Sequence, residues 1–467
     1  MLTRREALQT IGGGVALASS SLSQSSNKKH VIVAGGGIAG LCCAYELARR
    51  GHTVTVLEAS DRVGGHVKTV RDNLPDGLYV DAGAEQFTKP GYELYWSYVR
   101  EFDLPYIQDH RREHMLRWIG NRMYSEEELT EPRILSGFGF NGREIQFLRR
   151  HPWWELPSIY FDKYTSAFED EYHPFDAGLN ELDSISTNDL LRREGASDAF
   201  IKFAGGKGSA LHAVWHAAIL KRRGVPLWPT QVFRLKGGNS LLPETFAKRL
   251  GNAVKTGCPV RSISHGDSGV TVHYREGGEN RQIAGDYLVC CMSAVMLRRI
   301  PITPALSERK RWAIANVPYY SATRPVLLSQ SKFWRDQNTS INVEFYQPEL
   351  EHVWSMADDV HTNCGLIVGT AQPGVSAEKA LEAFRARYPG KRDTITKPMI
   401  IDWSHDPWSM ACETTSYRPG ELRRFWPASI EPEKRIHFAG AYCDNLNWGQ
   451  EAATRSAVRT AKLIDSA

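Results

Sequence analysis

A glycine-rich run near the front of the chain, Gly35-Gly36-Gly37-Ile38-Ala39-Gly40, matches G-x-G-x-x-G, and a carboxylate, Glu58, follows it. Residues of these types in this order can hold a dinucleotide. Gly35 permits a tight turn, Gly37 lets the backbone approach a pyrophosphate, and Gly40 lets a helix lie close to a strand. The free N–H groups where the helix begins, at Ile38 and Ala39, favour the diphosphate charge. Glu58 stands where an acid accepts hydrogen bonds from the hydroxyls of an adenosine ribose. That chemistry requires a strand, a helix and a second strand around the glycines. His30-Val31-Ile32-Val33-Ala34 is a β-branched run that reads as a buried strand. Residues 38–50 carry helical spacing through Ile38, Leu41, Ala44, Tyr45 and Ala48, and Gly51 stops the helix. Thr53-Val54-Thr55-Val56-Leu57 is the second strand, ending at Glu58. A lone G-x-G-x-x-G says little; framed by strand, helix, strand and acid, it points to an adenine dinucleotide.

Other chemistries find few residues to support them. The eight cysteines form no C-x-x-C pair and have no histidines at zinc-finger spacing, so neither a disulfide framework nor a structural metal underlies the fold. No metal site is expected. His110 and His114 have i, i+4 spacing, but their charged neighbours make a solvated face the better reading. No Ser-His-Asp or paired-carboxylate arrangement stands out. Against 53 acidic residues there are 57 basic ones, a net charge of +4, which is too small to argue for nucleic acid. No apolar run reaches the ~18 residues of a spanning helix, so stable membrane insertion is not expected. A length of 467 residues leaves room for two or three domains.

The first residues read differently from the rest. Thr3-Arg4-Arg5-Glu6-Ala7-Leu8 is followed by a mildly apolar stretch, then Ala16-Leu17-Ala18 and a Ser-rich segment. This is the order of a twin-arginine export signal over residues 1–28, with Ala7 in place of the usual Phe. It predicts a bacterial periplasmic protein that travels folded, with its cofactor inside.

Beyond Glu58, Ala59-Ser60-Asp61-Arg62-Val63-Gly64-Gly65-His66 resembles the E-A-x-x-R-x-G-G-R signature of the flavin-containing amine oxidase family. The monoamine, L-amino-acid and polyamine oxidases belong to it. The resemblance implies that Ala59, Arg62, Gly64 and Gly65 extend the phosphate site, with His66 replacing the second arginine. Val80-Asp81-Ala82-Gly83-Ala84 is similar to the family's segment that passes the flavin ring, which implies contacts from Gly83 and Ala84. Val260 matches the residue whose backbone holds the adenine. Arg435-Ile436-His437-Phe438-Ala439-Gly440 and Trp448-Gly449-Gln450-Glu451-Ala452-Ala453 resemble the closing motif, which implies that Gly440, Glu451 and Ala452 approach FAD. The acid that often follows F-A-G is Ala441 here, with Asp444 the nearest substitute, and the motif's glycine is Ala452. The implied fold is α/β. A Rossmann-like FAD-binding domain is assembled from residues 29–95, 232–305 and 406–467, and an α+β substrate-binding domain from 96–231 and 306–405. Trp153, Trp154, Tyr160 and Tyr164 in the middle of the chain read as core.

The implied chemistry is oxidation of a small amine at its C–N bond, by hydride transfer to flavin N5 and hydrolysis of the imine, with O2 or another acceptor taking the electrons. It asks little of side chains beyond orientation and exclusion of water. Arg324, ten residues before Trp334 of the Phe333-Trp334 pair, stands where the family has a lysine near N5. Arginine keeps the charge but is bulkier and does not deprotonate. Another reading makes Arg324 a surface residue of a shifted alignment. Ala411 to Gly420 resembles the stretch in which monoamine oxidases carry a flavin-bound cysteine, which would be Cys412. Glu413 and Gly449 fall on the two tyrosines of their aromatic cage, with Trp448 beside the second; a carboxylate at Glu413 could attract a cationic amine. Gln86 stands where L-amino-acid oxidases place an arginine for the substrate carboxylate. Two alternatives share the end motifs: a desaturase or porphyrinogen-type oxidase, and a non-catalytic FAD-binding protein. The Phe333-Trp334 and Pro419-Gly420 matches favour the amine group over the first. Arg324, Ala441 and Ala452 keep the second open.

Overall fold

The computed structural model describes residues 28–321, 323–335, 340–388, 394–413, 417–446 and 449–467. Trp448 and residues 1–27 of the expected export signal lie outside these, and Glu413 is described by its backbone alone.

Five parallel strands form the central sheet in the order Val254–Lys255, Thr53–Leu57, His30–Ala34, Tyr287–Cys290, Ile436–Phe438. The order is that of a doubly wound dinucleotide-binding sheet, whose ligand crevice opens at the strand ends beside the first strand. Both faces are covered, so His30–Ala34 is buried from Val31 onward and Tyr287–Cys290 throughout. Val31 and Val33 face one core with Leu41, Ala44 and Leu47. Ile32 and Ala34 face the other with Leu57 and Leu288. The helix Ile38–Arg49 packs between Leu241–Leu250 and the closing helix Gly449–Ser466. Small residues on the closing helix, Ala453, Ala457 and Ala461, are buried in the same core.

The strands Val260–His265 and Val270–Glu276 pair antiparallel, and Glu279–Gly285 adds a third. A separate seven-stranded sheet orders Ile395–Asp402, Thr323–Ser329, Gly365–Thr370, Leu350–Met356, Val343–Gln347, Leu116–Ile119 and Arg122–Ser125. Between its two sequence contributions lies a helical layer from Pro132–Phe138 to Ala210–Arg222. Trp153, Tyr160, Phe200 and Trp215 are buried there, whereas Trp154 and Tyr164 are only half-buried. Two features cross the sequence boundary drawn at residues 95/96. The helix Glu93–Glu101 runs through it, and Tyr106–Asp109 pairs with Val232–Leu235, the first strand after residue 231.

Candidate active site

The first strand ends in a turn that only glycine fits. Gly35 has φ +110°, and its N–H donates to Leu57 O at 2.9 Å. A Cβ on Gly40 would stand 1.9 Å from Gly35 O, so the helix comes this close to the strand because Gly40 has no side chain. Gly37 is the N-cap, and no side chain caps the helix. A Cβ there would meet nothing within 4 Å, because Gly37 faces an open cavity. Glu58 is buried and holds the turn, its Oε2 accepting from Gly36 N at 2.6 Å and its Oε1 from Ser60 N at 2.8 Å.

The second glycine pair docks on the first. Gly64 N donates to Gly36 O at 2.9 Å, and Gly65 lines the cavity beside it. His66 donates from Nε2 to Ser409 O at 2.8 Å and meets Trp403 edge-on at 4.9 Å. Gly83 passes so close behind that a Cβ would stand 2.0 Å from His66 O. Ala84 N donates to that same carbonyl at 3.0 Å.

One cavity of about 1090 Å³ runs along these elements. At one end it is lined by Glu58, Ala59 and Val260, then by Gly35, Gly37, Ile38, Ala39, Gly64, Gly65 and His66. It continues past Gly83, Ala84, Gly440, Gly449 and Gln450 into a chamber of aromatic and charged side chains.

Several residues that the sequence placed at the cofactor do not line this cavity. Gly40 faces the strand. Arg62 braces the second glycine turn from behind, with Nη1 on Gly65 O at 2.8 Å and Nη2 near Asp406 at 3.7 Å. Asp444 is buried away from the lining, between Arg455 at 3.1 Å and Arg459 at 3.3 Å, with Tyr172 donating to it. Glu451 accepts from Leu94 N at 3.1 Å and Tyr95 N at 2.8 Å, in the first turn of the helix Glu93–Glu101. Burial pushes its carboxyl up to about 8. Ala452 is fully buried in the interior, while Gln450 and Ala453 take the cavity side of the closing helix.

In the chamber, Arg324 is a clamp whose side chain is only 11% exposed, which corrects the reading of it as a surface residue. It donates from Nε to Ala82 O at 2.8 Å, from Nη2 to Gly83 O at 3.3 Å and from Nη1 to Glu85 Oε2 at 2.8 Å. Trp403 Nε1 donates to the same Ala82 O at 3.0 Å. Arg111 meets the other oxygen of Glu85 at 2.6 Å and stacks 3.6 Å over Trp354. Arg112 stacks 3.8 Å over Trp228. His352 lies flat on Trp354 at 4.7 Å; burial, then the charges of Arg111, Arg324 and Arg112, push its imidazole down to about 3, so it is neutral. Cys412 lines the cavity from a short strand whose backbone pairs Tyr320 with Cys412 and Tyr319 with Glu413. Gln86 also lines it. His110 is 67% exposed on a turn and pairs with Glu113, so the solvated face expected for it is what the structure places there.

Glu85, Arg111, Arg112, Trp228, His352 and Trp354 were not singled out by the sequence. Arg111-Arg112 is a visible basic pair, but nothing in its neighbours marks it as inward-facing.

The lining also contains polar atoms that the protein leaves unsatisfied. Among the described residues, Gln86 Oε1, Thr323 Oγ1, Trp354 Nε1, Tyr442 OH and Gln450 Oε1 are buried without a hydrogen-bond partner. Burying such groups is costly unless something pairs with them. Unpaired atoms along one elongated cavity, with an uncapped helix start and glycine turns at its waist, fit an extended dinucleotide.

Residues 38–465 match the family described as flavin containing amine oxidoreductase, and the chain belongs to that family. Curated relatives include an L-amino-acid oxidase of Demansia vestigiata, 28% identical over 477 residues, covering 97% of this chain and 90% of the relative. L-amino-acid oxidase BmooLAAO-I of Bothrops moojeni is 28% identical over 484 residues, covering 97% and 92%. Among solved structures, wild-type putrescine oxidase bound to putrescine superposes with a TM-score of 0.77 at 21% identity, over 94% of this chain and 99% of that one. Cyclohexylamine oxidase from Brevibacterium oxydans IH-35A gives 0.77 at 19% identity, over 94% and 99%. The protein is an FAD-dependent amine oxidoreductase, and FAD is the dinucleotide that the cradle holds.

Proposed function

We propose that this protein is an exported oxidase of small amines that passes its electrons to O2. The observation that carries this reading is the single cavity joining the dinucleotide cradle to the aromatic chamber. In this reading the cradle belongs to a unit of residues 29–95, 232–305 and 406–467, and the chamber walls come from 96–231 and 306–405. FAD supplies the hydride acceptor. The chain's own residues orient the amine and keep water out. Arg324 and Glu85 fix the carbonyl-bearing segment of residues 82–85 beside the chamber, and Trp354 and Trp403 close it with apolar surface. The amine loses a hydride from its α-carbon and a proton from nitrogen. Water then hydrolyses the imine to a carbonyl compound and ammonia, and O2 takes the two electrons as hydrogen peroxide. The related L-amino-acid, putrescine and cyclohexylamine oxidases take their names from amine substrates, which agrees with this class.

Anaerobic mixing of the holoprotein with a panel of amines tests the reading. Bleaching of the flavin by an amine, reversed by air with release of peroxide, is the expected result. Bleaching that air does not reverse would make the enzyme a dehydrogenase, and no bleaching by any amine would leave the non-catalytic alternative. Export by the twin-arginine route predicts that replacing Arg4 and Arg5 together by Lys leaves the protein in the cytoplasmic fraction; unchanged periplasmic yield would refute it.

A further inference from the structure

Charges on the chamber wall are satisfied unequally. On the inner side, Arg324 and Arg111 share Glu85 through contacts of 2.8 and 2.6 Å. Glu344 is matched by Arg117. Two charges on the chamber part of the lining have no ion pair among the described residues: Arg112 and Glu351. They are not equivalent. Glu351 is half-buried, and both its oxygens already accept hydrogen bonds, from Thr370 Oγ1 at 3.2 Å and from Gln372 Nε2. Arg112 is only 8% exposed, is stacked on Trp228, and donates to the Pro229 carbonyl. A buried guanidinium with no carboxylate in contact pays a desolvation cost that Tyr92, Glu85 and Asp109 nearby offset only in part. Its pKa reflects this: burial, and then Arg111 beside it, push it down to about 9.

Position along the chamber says what could relieve Arg112. Arg324 rests on the Ala82 and Gly83 carbonyls, at the inner end. Glu85 and Arg111 come next, and Arg112 follows with Trp228, a lining residue that is 40% exposed. A group bound by Arg112 is therefore separated from the segment of residues 82–85 by an entire ion-paired clamp. Gln86, which is uncharged, lines the cavity next to Glu85.

We infer that Arg112, seated on Trp228, is an anion subsite that selects amines carrying a carboxylate several bonds from the carbon that is oxidised. A planar guanidinium fork matches a carboxylate in two parallel hydrogen bonds, and the tryptophan face holds the fork in plane. The inference rests on the amine-oxidation reading above and names its substrate class. Glu351 makes a diamine the natural rival.

The test compares kcat/KM of the holoenzyme for δ-aminovalerate, hexylamine, cadaverine and L-norleucine. These place at the far end a carboxylate, a methyl and an ammonium, and in the last case a carboxylate on the reacting carbon itself. Expected is a preference for δ-aminovalerate over each of the others by about tenfold or more, the scale of one charge-assisted pair. The preference is expressed mainly in KM and shrinks as ionic strength rises. Arg112→Gln brings the δ-aminovalerate to hexylamine ratio to about one, and Arg112→Lys retains part of it, with flavin content reporting that each variant is folded. Equal or better turnover of hexylamine, cadaverine or norleucine overturns the inference, as does a ratio that survives Arg112→Gln. Should Arg112→Gln fail to fold, the wild-type ratios with their salt dependence decide the matter. If no amine at all reduces the flavin, the parent reading has failed; if amines reduce it without this preference, only the subsite has.

Discussion

The dinucleotide cradle and the amine chamber share one cavity but are built by opposite means. The cradle is made largely of backbone: glycines, an uncapped helix start and carbonyls, most of them within residues 35–84. The chamber is made of long side chains, Arg111, Arg112, Arg324, Trp228 and Trp354, brought from strands and turns far apart in the chain. A backbone site tolerates almost no added atom, whereas a side-chain site can change its preference without losing its frame. The two should therefore break differently under mutation.

The sharpest break is expected in the cradle. Gly40→Ala puts a methyl 1.9 Å from Gly35 O, so the strand and helix must part. Its cost lies at or beyond the upper end of the about 1–3 kcal/mol typical of overpacking. It should be visible as a lower Tm without added FAD and as protein purified without flavin. Gly37→Ala has open space around it. It should leave the apoprotein Tm near that of wild type while weakening FAD uptake in a titration, because the methyl occupies cofactor space. Equal behaviour of the two glycines would erase the distinction between packing and binding roles in the cradle.

Next comes the clamp. Arg324→Met removes a donor from the Gly83 carbonyl, leaves Ala82 O to Trp403 Nε1 and leaves Glu85 to Arg111. Removing one partner from a buried ionic network costs about 3–5 kcal/mol. We expect kcat/KM for amines to fall on the order of a hundredfold, since small misplacements near the reacting atoms have that effect. Full activity would show the clamp to be dispensable. A qualitative test concerns Cys412. Acid-precipitated protein whose pellet stays yellow, but loses its colour in Cys412→Ala, assigns a covalent link to the flavin. Colour in the supernatant of wild type limits Cys412 to lining the cavity.

The smallest effect is a pH dependence from His352. Its folded pKa of about 3 lies below the ordinary 6.5, so between these values the unfolded chain holds a proton that the folded chain does not. Stability is then lost as pH falls below 6.5, and His352→Gln should lessen that loss. Melting curves over this range check it; a slope unaltered by the substitution would mean that His352 does not contribute to acid sensitivity.

The same contrast explains what could be read from the chain. The helix expected at residues 38–50 spans Ile38–Arg49, and both framing strands fall where the β-branched runs put them. Local periodicity and turn glycines determine these elements, so one stretch of sequence contains the argument. Asp444 and Glu451 show the limit of a motif. It fixes where the backbone passes but not where the side chain turns, and here Tyr172 and the Leu94 and Tyr95 N–H groups, all from distant segments, draw the two acids away. That Arg111 and Arg112 face inward was not legible for the same reason. The turn that carries them is held inward by pairing of Leu116–Ile119 with Val343–Gln347, a contact between segments that no local pattern announces.

The parallel sheet has its first strand at His30–Ala34 and its last at Ile436–Phe438, with the closing helix Gly449–Ser466 packed on Ile38–Arg49. During synthesis, then, the glycine turn emerges early yet has one flank bare until residues 449–466 have left the ribosome. Nucleotide capture is thereby tied to the synthesis of residues 449–466, and any cellular machinery that inspects for a filled cradle is in effect inspecting for the closing helix.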